Sequence, residues 1–567
     1  MMNLAAIFHR PMSEYAHAVD DTTYVFRLRA AREDIKRCVF HYADRAVMSP
    51  ELTFTAEDMP LIRRDKIYDW FEVTLTIDYQ RVAYFFELDD GQETVYYLGE
   101  CFEHDWKQNR SDYFQLPFNH RADRLAIPDW VHDAVVYNIF PDSFASAKGE
   151  ISQKAAYSVY DGQPIRSLLG GTINGIRENL SYIADLGCNC IYLNPLFVAN
   201  SYHKYDIIDY MHIDPLRGTD EEFRCLVREA HSRGMRVIID GVFNHISWQH
   251  PFFRDVLEKG KDSKYYDWFY ELPEHPQFPS PGQEADYLCF AYVPEMPKTN
   301  TANPELREYF CGIGAYWVRE FNVDGWRLDV ANEVDDSFLR AFRETVKREK
   351  RDALIIGEVW ENALHYFNGC LLDSAMNYDF RRFCNQFMAE RCIDAAEFDT
   401  RISSLLMRCQ QQGLSAQLNL LDSHDVSRFL TLCDGDRERM QLAVLFQMTF
   451  PGMPGVFYGD EKGLDGRSEP EYRRPMEFER TDELEQVYRR FITLRKEHTA
   501  LRRGSFRTVF TEGMAYGYEL CCEEETIGVY LNAGSESVII PAGGDVIIEK
   551  NFRNGRLGEN GYLVRMA

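Results

Sequence analysis

VIIDGVFNH (residues 237–245), VDGWRLDVANE (323–333), LIIGEVW (354–360) and LNLLDSHD (418–425) are the stretches on which the fold turns. Each is a short apolar run ending in carboxylate, guanidinium or imidazole groups, the pattern of a buried strand whose last residues leave the core. A parallel α/β barrel keeps its active site at the carboxyl ends of its strands. Such a barrel would gather Asp240, His245, Arg327, Asp329, Glu358, His424 and Asp425 on one face. Apolar runs along the chain place the eight strands near 135–140, 190–194, 236–240, 324–329, 354–358, 371–376, 417–421 and 454–458.

Three carboxylates with arginine and histidine among them are what cleavage of a glycosidic bond requires. The reaction passes through an oxocarbenium-like transition state, with one carboxylate at the anomeric carbon and a protonated carboxyl at the leaving oxygen. Asp329 follows Arg327 by two residues, so on a strand both project to one side, and the guanidinium is expected to keep Asp329 ionised as a nucleophile. Glu358 is flanked by Ile355, Ile356, Val359 and Trp360, an apolar setting of the kind that suits a general acid. Asp425, beside His424, is expected to hold sugar hydroxyls as charge develops. Trp360 is a candidate to stack a glucose ring in the +1 region, and Phe290, in YLCFAYVPEMPKTN, a candidate aromatic platform.

DGVFNH, GWRLDVANE, GEVW and LLDSHD resemble the four ordered regions of the α-amylase superfamily, glycoside hydrolase family 13. The VANE ending, the MPKTN segment (296–300) and a distinct N-terminal domain resemble its neopullulanase, cyclomaltodextrinase and maltogenic amylase group, from whose MPKLN this chain departs by one residue. The resemblance covers nearly the whole chain. It implies Asp329 as nucleophile, Glu358 as acid/base and Asp425 as the transition-state-stabilising carboxylate. Arg327, His245 and His424 would line the −1 subsite, with Asp240 among the substrate-facing residues. In SYHKYDIIDY, His203 and Tyr205 resemble the family's hydrogen-bonding and stacking pair, oriented by Asp206. Glu469 and Arg473, in EPEYRRPM, stand where the group has Asp and Arg against a −2 glucose, and Glu333 stands where its counterpart influences whether water or sugar accepts the glycosyl unit.

The fold class implied is α/β: a (β/α)8 TIM barrel with an inserted B subdomain, an N-terminal β-sandwich and a C-terminal β domain. Residues 1–118 alternate apolar and polar in short bursts (TTYVFRLRA, KRCVFHYAD, WFEVTLTID, RVAYFFELD), the pattern of an antiparallel sandwich. This part resembles the family's starch-binding-type module, which in this group often mediates dimerisation. The barrel is expected over 122–501, with a turn-rich lid at about 246–300. Short strands return over 502–567 after the helical stretch ERTDELEQVYRRFITLRKEHTALR.

A net charge of −27 argues against nucleic acid or an anionic membrane as partner. The first residues lack a basic start and apolar stretch, no run of about 18 apolar residues occurs elsewhere, and the 14 cysteines are scattered without metal spacing. A cytoplasmic enzyme with reduced thiols is expected. Neither metal nor other cofactor is expected: PDSFASAKGEISQ (141–153) has Ser, Ala and Lys where the related group carries an Asn/Asp-rich calcium loop. The expected activity is retaining hydrolysis of α-1,4 links in cyclodextrins, maltooligosaccharides or pullulan, with transglycosylation as a side reaction and a homodimer built through the N-terminal domain. The same triad would serve an α-1,6-active or glucan-transferring enzyme. A non-catalytic carbohydrate-binding relative is the remaining reading, against which the intact carboxylates, Arg327 and His424 speak.

Overall fold

The computed structural model describes residues 1–567 except 100, 106–107, 148–156 and 161–162, with backbone alone at 157–160 and 163–167. Eight strands form one parallel sheet: β1 (Val136–Ile139), β2 (Cys190–Leu193), β3 (Arg236–Gly241), β4 (Gly325–Leu328), β5 (Leu354–Gly357), β6 (Ser374–Ala375), β7 (Leu418–Leu420) and β8 (Met453–Phe457). Each lies where the apolar runs place it. Neighbours in sequence are neighbours in the sheet, and β8 returns to β1. The joint between β6 and β7 is made by one bridge, Met376 to Leu418, with the Asn377 N–H donating to the Leu418 carbonyl at 2.8 Å. β6 is the shortest of the eight, and Asp373 just before it meets Arg343 and Lys347 at 2.8 and 2.7 Å.

Strand parity divides the core in two. Val136, Cys190, Tyr192, Ile238, Leu354, Ile356, Leu418, Leu420 and Met453 fill the barrel interior. Tyr137, Ile191, Leu193, Val237, Ile239, Trp326, Leu328 and Ile355 face the surrounding helices. Alternation along a strand therefore sends Asp240, Arg327, Asp329 and Glu358 inward at the carboxyl end. The β3–β4 register sets Asp240 opposite Arg327. On the other side of β4, Gly325 lets the strand lie close to β5: a Cβ there would lie 2.4 Å from the Leu354 carbonyl oxygen.

Two loops rise over this end. After β2, an antiparallel pair (Phe197–Ala199 with Ile207–Ile213) carries residues 200–206. After β3, residues 246–303 contain a helix (Pro251–Lys259) and several turns before the next long helix, Pro304–Phe321. The N-terminal domain is two antiparallel sheets around Tyr24, Phe26, Leu28, Phe40, Tyr84, Phe86 and Leu88. It is joined to the barrel by the Arg27 guanidinium, which donates to the Cys409 carbonyl at 2.6 Å. The helical stretch before the C-terminal sheet runs Glu483–Glu497, capped by Asp482, and breaks at His498 before Thr499–Arg503. A six-stranded antiparallel sheet completes the chain, with Tyr516 and Tyr518 packed on Phe446. Among the described residues no helix is long and apolar enough to cross a membrane.

Candidate active site

Arg327 is the centre of the arrangement. Its side chain is fully buried, and Nη1 meets Asp329 Oδ1 at 2.7 Å and Asp240 Oδ1 at 3.0 Å. Nη2 stands 2.9 Å from Glu358 Oε2, an ion pair without an aligned hydrogen bond. One guanidinium thus faces three carboxylates, and it cannot neutralise them all. Burial first, and the Glu358 charge second, push the Asp329 carboxyl well above the usual carboxylate range, against the pull of Arg327. Arg327 pulls toward the ionised form, as the two-residue spacing leads one to expect, but it does not act alone on Asp329.

The surroundings expected for Glu358 are corrected. Ile355 and Val359 turn to the outer core and Ile356 to the barrel interior, while the carboxylate itself meets donors. The Val330 N–H donates to Oε2 at 2.9 Å, and the Trp360 indole N–H donates to Oε1 at 3.0 Å. Trp360 is half-exposed, with one face stacked on Tyr378 at 4.0 Å and 10°. Its other face remains for a ligand.

Asp240 is buried with both oxygens engaged. It accepts from Tyr192 Oη at 2.7 Å and Tyr205 Oη at 3.1 Å, besides Arg327. It therefore positions Arg327 and Tyr205. Tyr205 lies parallel to His424 (5.5 Å, 5°), and the Tyr205 hydroxyl is 2.5 Å from His424 Nε2. Asn194 Nδ2 donates to His424 Nδ1 at 3.0 Å and to Tyr205 Oη at 3.1 Å.

His424 Nε2 lies 2.9 Å from Asp425 Oδ2, and Arg473 Nη2 lies 3.2 Å from Oδ1. Burial acts to raise the Asp425 carboxyl, but His424, Arg473 and Arg327 outweigh it and hold it well below the usual range. Asp425 is thus held in its ionised form. Arg473 also donates to the His424 carbonyl at 2.6 Å, to Tyr202 Oη at 2.8 Å and to Glu469 Oε1 at 2.8 Å. Of the two residues expected at a −2 glucose, Arg473 thus supports Asp425, and Glu469 pairs with Arg473 through the same oxygen that accepts from Tyr202.

His203 and His245 complete the rim. Burial, with Arg473 beside one and Lys298 beside the other, lowers each to about 3, so both are neutral near pH 7. His203 Nδ1 accepts from the Tyr205 N–H at 3.1 Å and faces Ser201 Oγ at 3.0 Å. Asp206 orients this pair indirectly, by holding Ser201. His245 stacks on Phe290 at 4.8 Å, and its Nε2 is buried with no hydrogen-bond partner among the described residues, as a donor or acceptor kept for a hydroxyl would be. Glu333 is exposed and pairs with Lys298 at 3.3 Å; the same Lys298 reaches Asn244, so MPKTN is tied to the β3 and β4 loops.

Reading the chain alone missed Asn194, Tyr192, Tyr202, Val330 and Tyr378. Asn194 had the same signal as the four deciding segments, a polar residue closing the apolar run CIYL. Tyr378 had none. Val330 carries φ 44° and ψ 47°, a left-handed conformation that a β-branched residue adopts only under constraint. Among the described residues no cluster of three or more His, Cys, Asp or Glu fits a metal ion; residues 148–153 of the loop read as lacking calcium ligands lie outside them.

Residues 138–483 match the α-amylase catalytic domain, and residues 1–120 match the α-amylase N-terminal Ig-like domain. A cyclomaltodextrinase of Geobacillus thermopakistaniensis (strain MAS1) is 38% identical over 550 residues, 95% of this chain and 93% of that one. Neopullulanase 2 of Thermoactinomyces vulgaris is 39% identical over 543 residues, 94% and 92% of the two chains. A solved cyclomaltodextrinase superposes with a TM-score of 0.90 at 34% identity, covering 100% of this chain and 98% of its own. With a barrel mouth of three carboxylates around one guanidinium and these matches along its length, the chain belongs to the α-amylase family.

Proposed function

We propose that the chain is a retaining α-glucan hydrolase that cleaves α-1,4 links in cyclodextrins, maltooligosaccharides and pullulan. The observation that carries this reading is the single guanidinium holding Asp329 and Glu358 on separate nitrogens, with the ionised Asp425 held independently by His424 and Arg473. Asp329 Oδ1 is taken by Arg327, which leaves Oδ2 to attack C1. As the C1–O bond to the leaving sugar breaks, Glu358 passes its proton to the departing oxygen and Asp329 becomes a glycosyl ester. Water then attacks C1 from the vacated side and gives its proton to Glu358, and the ester bond breaks with net retention. A sugar hydroxyl in place of water gives transglycosylation. Asp425, the neutral His203 and His245, and His424 hold ring hydroxyls, with Tyr205 under the ring. The segment 246–300 acts as a lid that carries Phe290, and the half-exposed Trp360, on the loop after β5, offers a second aromatic face to the sugar.

The test is product analysis on β-cyclodextrin, pullulan, maltotriose and soluble starch. The first-turnover product is expected as the α-anomer, and pullulan is expected to give panose. A β-anomer would exclude double displacement, and maltotriose from pullulan would shift the reading to α-1,6 cleavage. Glu358→Gln is expected to lower kcat on maltotriose about 10³-fold while sparing α-glucosyl fluoride, which needs no proton to depart. Equal losses on both would make Glu358 structural.

The N-terminal domain is proposed to pair two copies so that each narrows the other's cleft, favouring cyclodextrins over branched starch. Light scattering is expected to give a dimer, and dilution to monomer is expected to raise the starch-to-cyclodextrin rate ratio. A monomer that prefers starch at every concentration would end this idea. Action inside the cell is proposed from the cysteines, which are free and in large part buried.

A further inference from the structure

The two oxygens of Glu358 meet different surroundings. Oε2 stands 2.9 Å from the Arg327 guanidinium and accepts the Val330 N–H at 2.9 Å. A cation and a backbone donor on one oxygen leave no favourable place there for a proton. The left-handed turn at Val330 sits between the adjoining Asp329 and Ala331, whose own N–H donates to the Glu358 carbonyl at 3.0 Å. The strained residue thereby aims its amide at the acid. Oε1 has one partner among the described residues, the Trp360 indole N–H at 3.0 Å. The indole is not free to turn. Val359, just before it, is buried in the core, and the ring lies flat on the buried Tyr378.

We propose that Oε1 is the oxygen that donates and recovers the catalytic proton, and that Trp360 is a positioning residue that holds it there through the indole N–H. Resting on the hydrolase reading above, this adds a role for Trp360 distinct from sugar stacking. A protonated Oε1 has one O–H, which points to the glycosidic oxygen, and a remaining lone pair that accepts from the indole. As the proton leaves and the C1–O bond breaks, Oε1 gains charge and the indole bond strengthens, because hydrogen bonds to ionised acceptors are the stronger ones. The indole therefore favours the transition state over the ground state, which is what raises a rate. In the second half, Oε1 receives the proton of the attacking water with the indole still in place.

Trp360→Phe keeps a flat ring on Tyr378 and removes only the donor. Replacement by 3-benzothienylalanine, in which sulfur stands for N–H, does so with almost no change of shape. Both variants are expected to lower kcat/KM on maltotriose and β-cyclodextrin about tenfold or more, with KM nearly unchanged. On α-maltosyl fluoride, whose departure needs no proton, kcat/KM is expected to stay within about twofold of wild type. Wild-type activity of both variants on all substrates would show that Trp360 acts as a stacking face alone and overturn the proposal. Equal losses on natural substrate and fluoride would show a disturbed site and overturn it as well. Glu358→Gln, assayed alongside, separates the two levels: if that variant loses natural and fluoride turnover alike, the assignment of Glu358 itself fails whatever Trp360 does.

Discussion

An Asp329→Asn enzyme is expected to lose kcat on maltotriose and β-cyclodextrin by about 10⁴-fold or more, while folding normally. The amide has the carboxylate's shape but cannot form the glycosyl ester. Its Oδ1 still accepts from Arg327, so the site keeps its outline. The informative part is stability. Burial and the Glu358 charge raise Asp329's folded-state pKa above its unfolded value, so the folded state resists ionisation of this group. The stability it contributes is present at low pH and is lost as pH rises through the folded pKa. Asparagine does not titrate, so the variant escapes that loss. Thermal melting at pH 7 to 8 is expected to place it at or above wild type, with the advantage gone near pH 4. A variant that kept a few per cent of wild-type kcat would refute the nucleophile assignment. One that melted well below wild type at pH 8 would show that the Arg327 pair dominates, as first expected from the sequence.

Arg327→Met is expected to destabilise the fold by about 3–5 kcal/mol at pH 8, the cost of leaving buried carboxylates without their cation. Asp240, Asp329 and Glu358 all lose their common partner, while Asp240 keeps Tyr192 and Tyr205. The carboxylates then ionise less readily in the folded state than in the unfolded one, so stability falls as pH rises, and acidification to about pH 5 is expected to restore part of it. Urea unfolding at the two pH values reads this directly. Activity is expected to be undetectable at either. Arg327→Lys should lie closer to Met than to wild type, since a point charge cannot reach three carboxylates through two nitrogens. Stability independent of pH in the Met variant would mean that the three acids do not share the guanidinium in solution.

The barrel, its strand positions and the face that carries chemistry were legible in the sequence because they rest on short-range rules. A run such as VIID or LIIGE is a strand whatever surrounds it, and the two-residue period alone sends Arg327 and Asp329 to one side. The residue types at the strand ends named the reaction for the same reason. What the tertiary structure decided is which groups meet, and that depends on chain segments far apart in sequence. Asp240 reads as a substrate-facing residue, and in the fold Tyr192 and Tyr205 close on it. Arg473 reads as an outer contact, and the β8 loop folds it under Asp425, 48 residues away in the chain. Of the apolar neighbours of Glu358 in LIIGEVW, Ile355 and Val359 turn to the outer core, while the carboxylate meets a strained amide and the indole of Trp360. Proton affinity belongs to the same class: it is set by burial and by the charges within a few ångströms, and in a barrel mouth those come from several different strands at once, so Asp329 is governed by Glu358 as much as by the arginine two residues before it.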